Sequence, residues 1–292
     1  MKLQKYTKNS LSKNNFFSIN YHLTKNCNMS CKGCFAKYNK LENNLDHIKI
    51  LMNIIAYANK NNIRDKKINF VGGEPTLIKE LPYLVEFMNY AGFTTSIVTN
   101  GSKITQKYLN EFKIKPNWIG ISIDSFNDKT NWNLGRITKK GLILDYIKKA
   151  ELIKSNDIKL KVNTMVNKLN YHEDMNELIE TIMPERWKLF QYLEIKGENT
   201  EFSELLSINN KQFNHFIKNH SKINKKVKII PENNNQMKGS YLMVTPDGSL
   251  SDNVNGVLRY SDSLLNISFE DALRQIQFSE EKLVKRGGVY EW

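Results

Sequence analysis

Cys27, Cys31 and Cys34 form a C-x3-C-x2-C array, and they are the only cysteines in the 292-residue chain. An odd, tightly clustered set makes a poor disulfide framework. Three thiolates can hold three irons of a cubane cluster, leaving the fourth iron open to a chelating ligand. A structural zinc site normally takes four protein ligands. No fourth cysteine exists here, and His22 lies before the loop, on a predicted strand. The chemistry to expect is therefore that of an iron–sulfur cluster with one open coordination position.

Other polar residues recur at strand ends. Gly72-Gly73-Glu74-Pro75 suits a tight strand-to-helix turn, where glycines let the backbone come close. Asn100-Gly101-Ser102 and Ser122-Ile123-Asp124-Ser125 offer hydrogen-bonding groups in similar places, and Arg136 follows the second of these. Arg136 and Arg259 read equally well as surface arginines on loops.

These groups need a scaffold. Apolar runs of β type at 17–24, 67–71, 94–98, 118–123, 158–166 and 187–195 alternate with amphipathic stretches at 48–61, 81–90, 142–153 and 175–182. Such alternation predicts an α/β fold with a parallel sheet and crossover helices. Closure of a TIM barrel takes eight units. Six units over residues 16–196 predict an open, partial (β/α)6 TIM-type barrel. Residues 197–292 read as a C-terminal α+β extension that closes the site, with strands at 227–230 and 241–245 and helices at 211–220 and 269–277. Residues 1–15, rich in Lys, Asn and Ser, read as a flexible tail.

Strand residues two apart share a face. One face carries Asn20, His22 and Thr24, then Gly120, Ser122 and Asp124, then Lys159, Lys161, Asn163 and Met165, then Arg186, Lys188, Phe190 and Tyr192. The other face is apolar and suits packing on helices. The polar faces therefore point inward. A lumen holding Lys161, Arg186 and Lys188 should need an anionic guest, because an unpaired buried charge is costly.

The net charge is +13, with 43 Lys and Arg against 30 Asp and Glu. This fits a solvated basic surface, a nucleic acid or a phosphorylated ligand. No apolar run reaches the roughly 18 residues of a membrane span. No signal peptide is evident, so a cytoplasmic location is expected.

The cysteine array followed by Phe35, with the Gly-Gly-Glu turn after it, resembles the radical S-adenosylmethionine (SAM) superfamily. The resemblance implies a [4Fe-4S] cluster on Cys27, Cys31 and Cys34, with SAM chelating the open iron. It implies SAM binding by Phe35, Gly72, Gly73, Glu74, Asn100, Ser102, Ser122, Asp124 and Arg136. Asn20-Tyr21-His22, Lys161-Val-Asn163, Arg186-Trp187-Lys188, Pro231-Glu232, Ser240-Tyr241-Leu242 and Lys285-Arg286-Gly287-Gly288-Val-Tyr290 more closely resemble the viperin family.

That family converts a nucleoside triphosphate to its 3'-deoxy-3',4'-didehydro form, which terminates RNA chains in antiviral defence. The resemblance implies substrate binding by Asn20, His22, Lys161, Asn163, Arg186, Lys188 and Arg286, with Lys285 able to close over the same group. It also implies hydrogen delivery by Tyr241. A flavodoxin or ferredoxin is expected as electron donor. The enzyme is expected to be monomeric, with no membrane attachment and no direct nucleic-acid binding. Residues 249–259 depart from animal viperins, which leaves CTP, UTP and GTP open as substrates. The alternatives are another radical SAM enzyme, such as one modifying a peptide, and a zinc-bearing RNA-binding module.

Overall fold

The period-two runs become six parallel strands in chain order: β1 (Phe16–His22), β2 (Asp65–Val71), β3 (Thr94–Thr99), β4 (Trp118–Ser122), β5 (Lys159–Val166) and β6 (Arg186–Gln191). The computed structural model describes residues 16–43, 46–138, 141, 144–223 and 225–289. The predicted tail 1–15 and Tyr290 lie outside these.

Between the strands run α1 (His47–Lys60), α2 (Leu81–Tyr90), α3 (Gln106–Leu109), α4 (Asp128–Leu134), α5 (Tyr146–Lys154) and α6 (Asn176–Ile182). The later helices are α7 (Ser203–Leu206), α8 (Asn210–Asn219), α9 (Asn234–Met237), α10 (Phe269–Gln275) and α11 (Glu280–Lys285). Side-chain caps start many of them, including Asp46 on α1, Asn127 on α4 and Ser279 on α11.

Strands after residue 197 extend both edges of the six. β7 (Lys228–Glu232) pairs in parallel with β6, and β8 (Met243–Val244) pairs in parallel with β1. The hairpin of β9 (Ser249–Asp252) and β10 (Arg259–Ser263) continues outward from β8. The order is β10-β9-β8-β1-β2-β3-β4-β5-β6-β7, so the sheet does not close.

The apolar faces are buried: Ile19, Tyr21, Ile68, Phe70, Leu160, Val162, Trp187 and Leu189 have no exposure and join one core with Ile50, Leu51 and Ile54 of α1. Trp187 Nε1 donates to Thr164 Oγ1 at 2.9 Å, so its one polar atom is satisfied. The opposite faces meet in register. Lys161 stands beside Arg186, Asn163 beside Lys188, Ser18 beside Lys67 and Asn20 beside Asn69.

Several sequence expectations need correction. β6 ends at Gln191 rather than 195, because Asn199 captures the backbone that follows. Its side chain accepts from Ile195 N–H at 2.8 Å and donates to Leu193 C=O at 3.1 Å. The alternation breaks there, and Tyr192 packs with Leu134 and Leu206. Tyr241 was expected on a strand but precedes the two-residue β8. A further helix, α11, follows the predicted last helix at 269–277 and runs into the Lys-Arg-Gly-Gly segment. His220 is buried against Trp187 and accepts from Met175 N–H at 2.9 Å. No helix among the described residues is long and apolar enough to cross a membrane.

Candidate active site

The loop after β1 carries the three cysteines over one end of a cavity of about 710 Å³. This loop is held from two sides. Gly73 N–H donates to Thr24 C=O at 2.6 Å, and Glu74 N–H donates to Asn26 C=O at 2.9 Å. A Cβ on Gly73 would lie 2.2 Å from Asn26 O, so no other residue fits without displacing the loop. On the other side, α4 ends at Gly135, whose φ is +71°, and Lys32 N–H donates to Leu134 C=O at 2.9 Å. A Cβ on Gly135 would meet Ser30 O at 2.3 Å. Both glycines are there for close approach of backbone to backbone.

Burial pushes all three thiols up, and Cys31 to about 12, although Arg136 opposes the shift. Cys27 Sγ also accepts from Met29 N–H at 3.4 Å.

The strand ends beside this loop are tied together. Glu74 is buried and accepts from Thr99 Oγ1 at 2.6 Å, from Asn100 N–H at 2.7 Å and from Thr76. Its carboxylate thus joins the end of β2 to the end of β3. Asn100 Nδ2 donates to Asn28, whose own amide donates to Ser102 Oγ at 2.8 Å. Ser102 stands behind the loop and does not line the cavity, whereas Phe35, Gly72, Gly73, Glu74, Asn100 and Ser122 do. Asp124 and Arg136 line it as a pair, with Arg136 Nε 2.5 Å from Asp124 Oδ2. Arg259 pairs with Asp252 away from the cavity.

The far end is cationic. Lys161, Asn163, Lys188, Tyr241 and Arg286 line the same cavity. Gly120 makes room for Lys161, since a Cβ there would fall 2.8 Å from its Cε. No hydrogen bond or ion pair engages the Lys161 ammonium among the described residues. Burial, then Lys188 and Arg186, lower Lys161 to about 7. Burial lowers Lys188 to about 8 against the pull of Glu232. Arg186 does not line the cavity; it donates to Gly287 C=O at 3.1 Å and so backs the wall. Lys285, expected to close over the same group, instead pairs with Glu281 on the exposed side of α11. Asn20 and His22 line the wall between the two ends. Neither ring nitrogen of His22 has a hydrogen-bond partner among the described residues, and burial lowers it to about 3.

The profile of the radical SAM superfamily matches residues 21–182. An S-adenosylmethionine-dependent nucleotide dehydratase from Flammeovirga pacifica is 37% identical, covering 94% of this chain and 96% of the relative. The chain belongs to the family of S-adenosylmethionine-dependent nucleotide dehydratases. A second such dehydratase, from Lacinutrix mariniflava, is 36% identical over 94% of this chain, which spans 58% of that relative's length. The crystal structure of Streptococcus suis SuiB bound to S-adenosylmethionine shares the fold, with a TM-score of 0.64 at 17% identity, covering 93% of this chain and 68% of that one.

The dehydratase-family site fits the superfamily's two cofactors, a [4Fe-4S] cluster and SAM. Thiols that burial keeps protonated lose their protons on binding iron. No group of His, Cys, Asp or Glu among the described residues is placed to hold a metal ion. A cubane does not require that convergence, because each thiolate binds a different iron.

Sequence reasoning gave no role to two residues of this family member's site. Lys67 lines the cavity at 2% exposure, and burial together with Lys161 and Lys188 holds it well below the usual lysine range. The alternation of Lys67 and Asn69 against Ile68 and Phe70 on β2 was the signal for it. Glu232 has no exposure and binds Lys188 and Arg286. It is an internal counter-anion for Lys188 and Arg286, which leaves the expectation of an anionic guest standing for Lys161. No periodicity in the sequence pointed to it.

Proposed function

We propose that this chain dehydrates a ribonucleoside triphosphate, CTP, UTP or GTP, to its 3'-deoxy-3',4'-didehydro form. What supports this most is that one cavity has three thiols at one end and Lys161, Lys188, Arg286 and Tyr241 at the other. When bound, the cluster and SAM supply removal of the hydrogen atom at C4' of the ribose.

Cys27, Cys31 and Cys34 hold the cluster. Gly72, Gly73, Asn100, Ser122 and the Asp124–Arg136 pair orient SAM, Phe35 covers its adenine, and Glu74 and Ser102 brace those groups. Lys161, Lys188 and Arg286 neutralise the triphosphate, with Asn163 and Lys67 beside them, while Arg186 steadies Gly287. Asn20 and His22 face the nucleoside. Tyr241 delivers a hydrogen atom: its electron goes to the substrate radical and its proton to the departing 3'-hydroxyl, which leaves as water. An electron from a flavodoxin- or ferredoxin-type donor and a solvent proton restore the phenol.

In this reading residues 16–196 carry the cofactor end, and 197–292 close the phosphate end. The enzyme works as a cytoplasmic monomer, and its product ends viral or phage RNA chains. The test is anaerobic reconstitution with iron and sulfide, then SAM, reductant and each triphosphate separately. The expected result is 5'-deoxyadenosine together with one nucleotide lighter by water. SAM cleavage that no triphosphate stimulates would move the substrate to another class, such as a peptide.

A further inference from the structure

We propose that Glu232 is a positioning residue for the dehydration: its single carboxylate holds Tyr241, Lys188 and Arg286 as one unit. The inference rests on the reaction proposed above.

Those three side chains come from three separate pieces of chain. Lys188 lies on β6, Tyr241 on the loop before β8, and Arg286 at the C-terminal end of α11. No strand or helix ladder fixes Tyr241. Glu232 is the last residue of β7, in register with Phe190 of β6, and it has no solvent exposure. Lys188 Nζ stands 2.5 Å from its Oε1, and Arg286 Nη1 stands 3.2 Å from the same oxygen. The Tyr241 hydroxyl donates to its Oε2 and accepts from Lys188 Nζ at 3.2 Å. The Arg286 guanidinium carbon sits 3.6 Å from the centre of the Tyr241 ring, and Arg286 Nη2 donates to Ser240 C=O at 3.1 Å. The phenol oxygen is therefore bonded on two sides, and its ring is covered by a cation that the same carboxylate orients.

Charge gives the carboxylate a second task. Burial, then Arg286 and Arg186, press the Lys188 ammonium toward its neutral form, and Glu232 opposes them. Burial would raise Glu232, but Lys188 and Arg286 more than offset it and keep the carboxylate ionised. Removing one partner of such a buried set leaves the others uncompensated. Glu232 thus keeps Lys188 charged for phosphate and Tyr241 aimed for hydrogen delivery.

The test compares wild type, Glu232→Gln, Glu232→Asp and Tyr241→Phe in the reconstituted enzyme. The readouts are nucleotide product per 5'-deoxyadenosine, KM for the triphosphate and the pH dependence of kcat/KM. Glu232→Gln should lower the product ratio at least tenfold. It should also move the alkaline limb of kcat/KM to lower pH, because Lys188 loses its carboxylate. Tyr241→Phe should lower the ratio and leave that limb in place, and Glu232→Asp should fall between wild type and Glu232→Gln. A wild-type ratio and limb in Glu232→Gln would overturn the proposal. If that variant fails to load its cluster, the same result in Glu232→Asp would do so. A wild type that converts no nucleotide points instead to failure of the underlying reaction.

Discussion

Lys161 shows how burial sets chemistry at a single residue. Its strand is paired on both sides, and its ammonium shares a cavity with Lys188 and feels the charge of Arg186, so burial and like charge bring it to about 7. A triphosphate favours the charged form. Binding at pH 8 should therefore take up close to one proton at Lys161 and about half a proton at Lys188, and affinity should fall as pH rises above about 7. Calorimetry in two buffers of different ionisation enthalpy would measure this uptake. Lys161→Ala should lower the uptake by close to one proton and weaken binding by about 1.5–3 kcal/mol, roughly ten- to hundredfold in Kd. Unchanged affinity and proton uptake would remove Lys161 from the phosphate site.

Among the elements, the cysteine loop depends on two backbone contacts rather than on its own sequence. The Gly72-Gly73 turn lies against residues 24–26, and the end of α4 lies against Ser30. Gly73→Ala puts a methyl 2.2 Å from Asn26 O, a distance that only movement of the loop relieves. The expected outcome is a folded protein, with unchanged far-ultraviolet circular dichroism, that holds far less iron and sulfide after reconstitution. Full cluster loading would show that the loop yields without losing its thiol geometry. The end of β6 is governed in a similar way by Asn199, four residues past the segment whose alternation predicted a longer strand.

For the molecule as a whole, the buried cations make stability depend on pH. Lys161 and Lys188 sit at about 7 and 8, against an ordinary lysine value of 10.5. Between pH 7 and 9 the unfolded chain binds more protons than the folded one at these sites, so stability should rise with pH. The destabilisation is fully present below about pH 7 and is relieved as pH approaches the unfolded value. Free thiols raised by burial act in the opposite sense above their ordinary value, so the measurement belongs on cluster-loaded protein. Denaturant midpoints at pH 7, 8 and 9 should increase, and Lys161→Met should flatten the trend. A decreasing midpoint in that window, unaltered by Lys161→Met, would contradict the burial of charged lysines.

The sequence by itself determined the chemistry of the cofactor end and the order of the barrel. A thiol array, a Gly-Gly-Glu turn and strand-period alternation are all local patterns, carried by residues a few positions apart. It also placed Lys161, Arg186 and Lys188 on inward faces, because the alternation of a strand fixes which side each residue takes. Only the tertiary structure decided how those charges are balanced. Glu232 meets Lys188, Tyr241 and Arg286 across 44, 9 and 54 residues of chain, and no local period encodes such a meeting. The same holds for Ser102 and Lys285, whose directions depend on Asn28 and on the exposed side of α11. Local sequence sets what a residue can do, and long-range packing sets which partners it does it with.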